Sequence, residues 1–316
     1  MKKLLKLSYI IITTIFICCI LFGCYNIDKD KYIELYDYKT IEIAKSYLEL
    51  SEEEIDTIIY MDFISNDYYK KTEKNIVAIG DIVSIDVDSE ISKYCCSNYF
   101  YEVGSNDIND AFDNLLVGQK PNTNIKTTLP IENKMVKMDV YVNGIYILND
   151  TKDKDVINAF YGFKTYDDSI SYIKNRAAEE ITFNYMWNII IEKSKLIAFP
   201  ESINIRINQS INEIVEIAQK SNQSIEDFLT AQGTSLSDIK QDLYDYNYEI
   251  LLAETILSKE NKIIDDNLLK KYTRELSRKN NVSEEEVLNY FTNEEIYYFA
   301  IMEELRVVLL LYAIIK

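Results

Sequence analysis

The chain has 316 residues and a formal net charge of −18, from 52 acidic and 34 basic side chains, and it contains no histidine. The acidic excess argues against a nucleic-acid-binding protein, which needs a basic surface, and against a protein that lies flat on an anionic membrane. The absence of histidine excludes Ser-His-Asp and Cys-His nucleophilic catalysis and the common zinc sites, so we predict neither a metal nor a cofactor.

The N-terminus has the parts of a secretory signal. Three lysines within the first six residues form a basic start, an uncharged apolar run follows over 7–22, and the sequence LFGC ends at Cys24. LFGC resembles the lipobox of bacterial lipoproteins, which implies cleavage after Gly23 and transfer of a diacylglyceryl group to the thiol of Cys24. Because the apolar run approaches the ~18 residues of a spanning helix, an uncleaved signal anchor over 1–23 is the alternative.

Loss of the signal would remove three lysines and no acids, which takes the formal charge from −18 to −21. Two acyl chains hold a protein stably at a membrane, whereas one holds it marginally. We therefore expect an extracytoplasmic lipoprotein of a Gram-positive bacterium, with an acidic body held above the bilayer by its lipid.

Residues 24–75 are predicted to form an N-terminal tether and linker segment. Strand-like stretches such as TIEIAKSYLEL occur in it, and Ser51 with Glu54 forms an S-x-x-E capping box that predicts a short helix to about Met61. The polar run SNDYYKKTEKN after this helix predicts a linker.

Residues 76–150 show the two-residue period of half-buried strands, bounded by Gly80 and Gly144. Between the strands, NDINDAFDNLLVGQK carries apolar residues at helical spacing. We predict a small antiparallel sheet with one short helix. The positions expected to share a buried face are Val83, Ile85 and Val87 in one strand and Val136, Met138, Val140 and Val142 in another.

Residues 151–316 show the three-to-four-residue period of amphipathic helices, so an α+β protein with an all-helical second domain is predicted. Pro200 is predicted to begin a helix and Gly233 to separate two helices as a left-handed cap. The closing run LRVVLLLYAIIK is too short to span a membrane and predicts a buried helix. Further helix starts are predicted at Ser224 with Asp227, Ser235 with Asp238, and Ser283 with Glu286.

IGDIVSIDVDSE at 79–90, the glycine turn and short helix at 102–123, and KMVKMDVYVNGIY at 134–146 resemble an FKBP-type prolyl isomerase domain. The second half resembles the C-terminal chaperone domain of trigger factor. The matching pattern is a helix begun by proline, then SIEDFL, a glycine and SLSDIK, followed by a long helix. This resemblance implies extended helical arms that bind unfolded polypeptides without ATP. The ribosome-docking domain of that family has no counterpart in the sequence, so no ribosome partner is expected.

The isomerase resemblance implies an apolar pocket that holds a proline ring and needs no nucleophile or metal. The matching positions are Val87, Ile108 or its neighbour Asn109, and Phe112. Val87 stands where the family usually has an aromatic residue, and Asp110 replaces the usual proline or glycine. The alternative is that these three side chains are plain core. Weak isomerase activity or none is expected.

Tyrosines on the helices are candidates for client binding, because each offers an apolar face with a polar tip. The candidates are Tyr244, Tyr246, Tyr248, Tyr297 and Tyr298. The alternative for each is ordinary packing between helices.

Together these features predict a membrane-anchored folding factor whose partners are unfolded or newly secreted polypeptides. The alternative function is a surface lipoprotein that uses the scaffold as a specific binding protein. Cys95 and Cys96 are predicted to be a buried or edge pair, with a redox role as the alternative.

Overall fold

The computed structural model describes residues 29–91, 94–131, 134–280 and 282–316. The predicted signal peptide and Cys24 therefore lie outside the described residues. The chain divides into two compact units. The sheet unit is Glu49–Arg176, and the helical unit combines residues 29–48 with Ala177–Lys316.

The segment 29–48 belongs to the helical unit, although the sequence predicted a tether there. It contains strands β1 (Ile33–Glu34) and β2 (Glu42–Ile43) and short 3-10 turns. β1 pairs antiparallel with residues 195–196, and β2 pairs parallel with residues 314–315. Four of its apolar side chains are buried in the main core of the helical unit. They are Ile33, Tyr38, Ile41 and Ile43.

The sheet unit begins with a helix and then forms a five-stranded antiparallel sheet. Its elements are α1 (Glu52–Ser65), β3 (Tyr69–Lys71), β4 (Ile82–Ser89), β5 (Cys96–Glu102), α2 (Asp110–Leu116), β6 (Thr123–Ile131), β7 (Lys134–Leu148), α3 (Lys154–Tyr161) and the start of α4 (Tyr166–Lys193).

β7 is the central strand of the sheet. It pairs with β4 on one side, and with β6 and β3 at different positions along its other side. β5 pairs with β4. β3 lies in the stretch that the sequence predicted to be a linker.

The predicted alternation in β4 and β7 is confirmed by burial, because Val83, Ile85 and Val87 face the core together with the four predicted positions of β7. The predicted end at Gly144 is wrong, since β7 continues to Leu148. Asn143 is the extra residue of a bulge opposite Ser84 and Ile85, so the buried face passes from Val142 to Ile145 and the strand goes on.

The part of the helical unit within residues 177–316 contains seven α-helices and two short strands among its described residues. They are the remainder of α4, β8 (Lys195–Leu196), α5 (Glu201–Lys220), α6 (Ile225–Thr230), α7 (Leu236–Lys259), α8 (Asp266–Asn280), α9 (Glu284–Tyr290), α10 (Asn293–Tyr312) and β9 (Ile314–Ile315). The two strands pair with β1 and β2. The prediction that residues 151–316 are all helical is therefore wrong at these two strands.

Side-chain caps begin these helices where the sequence predicted them. Ser235 and Ser283 each form a reciprocal capping box, and Ser224 accepts a hydrogen bond from the backbone of Asp227. Ser51 caps α1 in the same way. Gly233 has φ +74°, which confirms the left-handed break before α7.

Two parts of the helical unit have apolar clusters of their own, which adjoin the main core through the half-buried side chains of Ile207, Leu269 and Phe299. We call α5, α6 and the first half of α7 the first limb; its cluster includes Ile214, Phe228 and Leu243. We call α8, α9 and the start of α10 the second limb; its cluster is formed by Leu276, Val287 and Ile296. Such clusters are what helical arms require, because an arm must bury its apolar face within itself.

Candidate functional site

The three residues of the predicted isomerase pocket lie together in the sheet unit, but as part of its core. Phe112 is 0% exposed and Val87 is buried, while Ile108 is half-buried at the edge of the same cluster. The Phe112 ring packs edge to face against Tyr101, with ring centroids 5.3 Å apart. A proline ring could therefore contact Phe112 only if the core opened.

The turn before α2 is fixed by the buried carboxylate of Asp113. Asp113 accepts hydrogen bonds from the Tyr101 hydroxyl at 2.8 Å, the Gly104 backbone N–H at 2.7 Å and the Asn106 backbone N–H at 3.1 Å. Burial, followed by the bond to Asp113, raises the pKa of Tyr101, which stays a neutral donor at physiological pH. Asn109 caps α2 by accepting a hydrogen bond from the Phe112 backbone. These bonds hold the predicted pocket segment in one arrangement.

A concave surface of the sheet unit lies at the end of β4, the middle of β6 and the first part of β7, and its walls are mostly polar. None of the three predicted pocket residues lines it. Its lining residues are Asp88, Ser89, Glu90, Lys126, Thr127, Thr128, Lys137, Met138 and Asp139. This surface lacks the apolar lining that proline binding requires.

An aromatic cluster lies on a different part of the same sheet. The Phe100 ring packs against Tyr69 at 4.7 Å and against Tyr146 at 5.0 Å between centroids. All three side chains are half-buried. The sequence analysis did not predict this cluster, because Tyr69 lay in a presumed linker and the bulge at Asn143 changes the face that Tyr146 occupies.

Among the predicted client-binding tyrosines, Tyr244 is the most accessible, with 43% of its side chain exposed. Its ring packs against Phe199 at 5.0 Å between centroids. Tyr248 donates hydrogen bonds to the carbonyls of Ile191 and Ser194, and Tyr297 donates to the carboxylate of Glu254 at 2.6 Å. These two tyrosines have a packing role in the structure.

Tyr298 and Tyr246 pack against each other, with ring centroids 5.4 Å apart. Burial raises the pKa of both hydroxyls. Both residues remain half-buried, so each keeps part of its surface accessible.

The limbs expose further apolar side chains. The first limb exposes Ile205 and Tyr244, and the second exposes Leu288 and Tyr290. Between residues 201 and 245 the sequence has eight acidic and three basic residues. The first limb thus presents single apolar side chains on an acidic surface.

The two cysteines of the sheet unit are not joined in a disulfide; Cys95 is exposed, and Cys96 is half-buried at the start of β5. No group of three or more Cys, Asp or Glu side chains in the described ranges could hold a metal ion. Nor does any helix within those ranges combine the length and apolar character needed to cross a membrane.

No family model matches the chain. It is similar to trigger factor of Acetivibrio thermocellus, with 22% identity over 293 residues that cover 84% of this chain and 68% of the relative. Shorter similarities reach trigger factors of Macrococcus caseolyticus, 31% identical over 93 residues (28% of this chain, 22% of the relative), and Halothermothrix orenii, 32% identical over 105 residues (31% and 24%).

A solved structure from work entitled "Promiscuous Substrate Recognition in Folding and Assembly Activities of the Trigger Factor Chaperone" aligns with 89% of this chain and 73% of its own, at 15% identity and a TM-score of 0.37.

Proposed function

We propose that this trigger factor-like protein is a membrane-anchored, extracytoplasmic folding factor that binds unfolded or newly secreted polypeptides without ATP. The observation that carries the proposal is the similarity to trigger factor across 84% of the chain. A match over 84% of the chain includes residues of both the sheet unit and the helical unit.

The limbs supply a physical basis for binding. Ile205, Tyr244, Leu288 and Tyr290 are exposed on helices whose own clusters hold them in place. Single apolar side chains spaced over a polar surface suit many weak contacts with an extended chain. They suit one tight contact with a folded partner less well, because such partners bind through a central, well-packed patch.

We propose that the sheet unit is an FKBP-type isomerase-like domain of reduced activity. The burial of Val87 and Phe112 supports reduced activity, because an active site must admit the proline ring. A refolding assay with a protein limited by proline isomerisation tests this part. We expect the full chain to reduce aggregation of that protein with little acceleration of the slow phase.

The variant Ile108→Ala separates isomerase catalysis from the binding of unfolded protein, because Ile108 lies at the margin of the core and its truncation leaves the Phe112 side chain in place. Unchanged refolding kinetics with Ile108→Ala are expected. If the natural chain strongly accelerates the slow refolding phase and Ile108→Ala abolishes that acceleration, the sheet unit is a working isomerase. Val117→Ala, at an exposed position just after α2, serves as the matched control.

We further propose that Cys24 carries the lipid and that the protein acts at the membrane rather than at the ribosome. The motif LFGC supports this, and Cys24→Ser tests it. We expect the natural chain in the membrane fraction and Cys24→Ser in the soluble or secreted fraction. Equal membrane association of both would contradict the lipid anchor and point to the uncleaved signal anchor.

A further inference from the structure

Five apolar side chains are exposed near the C-terminus of the helical unit. Leu311 is 76% exposed and Ile263 is 68% exposed. We call the set the C-terminal pole. It consists of Ile263, Val307, Leu311, Ile314 and Ile315.

The ends of α7 and α10 bring these residues into one region. The Tyr312 hydroxyl donates a hydrogen bond to Glu260, the residue after α7, at 2.7 Å. Leu311 directly precedes Tyr312, and Ile263 follows Glu260 by three residues. Val307 lies one turn before Leu311 on the same helix face, and β9 begins two residues after Tyr312.

The N-terminal segment arrives at the same place. The Asp30 carboxylate pairs with Lys259 at 2.8 Å, and the Lys39 ammonium pairs with Glu260 at 2.7 Å. β2 then pairs with β9. The first described residues therefore lie along the last turns of α7, beside the pole.

Chain length ties the pole to the predicted anchor. Cys24 precedes Lys29 by five residues, which span at most ~18 Å when fully extended. The Lys29 ammonium pairs with Glu254 at 3.0 Å, about 9 Å along α7 from Glu260. The opposite end of α7, at Leu236 in the first limb, lies about 27 Å along the helix from Glu254. A lipid on Cys24 would thus lie nearer to the pole than to the far end of the first limb.

Charge at the pole is compatible with a membrane surface, although the chain as a whole is acidic. Four lysines around the pole each pair with a carboxylate, so basic as well as acidic side chains occur there. The pairs are Lys39–Glu260, Lys259–Asp30, Lys262–Glu304 and Lys316–Glu42.

We propose that the C-terminal pole is a membrane-contacting surface, whose apolar side chains enter the interface of the phospholipid bilayer beside the anchor. The proposal rests on the lipidation of Cys24 given under the proposed function. Such side chains reach about 5–10 Å into the boundary between headgroups and acyl chains. The contact would orient the tethered chain with its first limb directed away from the bilayer.

The test uses the full lipidated chain in phosphatidylcholine–phosphatidylglycerol vesicles that carry a lipid-bound quencher. Cys95 and Cys96 are replaced by serine, and a polarity-sensitive dye is attached to a cysteine placed by Leu311→Cys. Leu288→Cys is the matched control. Leu288 is also exposed, but it lies before the start of α10, whereas Leu311 lies at the end of that helix, whose 20 residues span about 30 Å.

We expect strong quenching of the dye at position 311 and little at position 288. If the chain floats with the vesicles while both dyes remain equally unquenched, the anchor stands and the pole proposal is overturned. If the chain does not float, both proposals fail. If the dye at position 311 is shielded from water without lipid, and more so at higher protein concentration, the pole contacts a second copy of the chain. That result also overturns the proposal.

Discussion

Glu260 joins three parts of the helical unit through one carboxylate. It accepts hydrogen bonds from the hydroxyls of Tyr38 and Tyr312 and pairs with Lys39. Burial alone would raise the pKa of Glu260, but hydrogen bonds from Lys39, Tyr38 and Tyr312 outweigh it and lower the pKa to about 2. One residue thereby links the N-terminal segment, α7 and α10.

Glu260→Gln is expected to reduce the free energy of unfolding at pH 7 by about 1–3 kcal/mol, since it weakens charge-assisted hydrogen bonds. The folded carboxylate has a lower pKa than the unfolded one, so its contribution is complete above the ordinary value of 4.5 and is lost as the pH falls towards 2. Urea unfolding of both proteins from pH 7 to pH 3 measures this.

The difference between the two proteins should shrink as the pH falls. Asp242→Asn, at an exposed position on the same α7, is the control and should change stability little. A difference that stays constant with pH would show that the charge of Glu260 does not matter.

At the scale of elements, the least expected feature is the pairing of β2 with β9 across some 270 residues. The Lys45 N–H donates to the Lys316 carbonyl at 2.8 Å, and the Lys316 N–H donates to the Ile43 carbonyl at 3.0 Å. Ile43 is fully buried. The segment 29–48 is thus a structural part of the helical unit.

Ile43→Ala is expected to destabilise the helical unit by about 2–5 kcal/mol, because it leaves a cavity in the main core. Tyr47→Ala is the matched control from the same segment, since Tyr47 is mostly exposed. Chemical denaturation followed through the single Trp187, which is buried in that core, reports the change. Equal stability of the two variants would mean that the segment is only a tether.

Short sequence patterns correctly predicted the features that depend only on neighbouring residues. The caps at Ser51, Ser235 and Ser283 and the alternation in β4 all follow from neighbours within a few residues. β3 and β9 were missed because two- and three-residue strands have too little pattern. The stretch around β2 was described as strand-like, but its partner β9 is too distant in the chain to be predicted. Phe112 lies in the core of the sheet unit and Ile108 packs against it, and the sequence could not distinguish an open slot from a filled core.

At the scale of the whole molecule, two units share one chain, and the helical unit is built from both ends of it. Its limbs have apolar clusters of their own beside the main core, and they carry exposed apolar side chains on polar helices. This construction leaves surface available for loose contacts while the main core keeps the helices fixed. Together with the similarity to trigger factor, it supports the proposal that the protein binds unfolded polypeptides.

The most direct test of that proposal compares binding of one protein in two forms, native and permanently unfolded by reduction and carboxymethylation. Fluorescence anisotropy of the labelled forms is measured against the full chain, without nucleotide. We predict that the chain binds the unfolded form saturably and does not bind the native form. The double variant Tyr244→Ser and Ile205→Ser should bind the unfolded form more weakly. Equal binding of both forms, or none of either, would contradict the account.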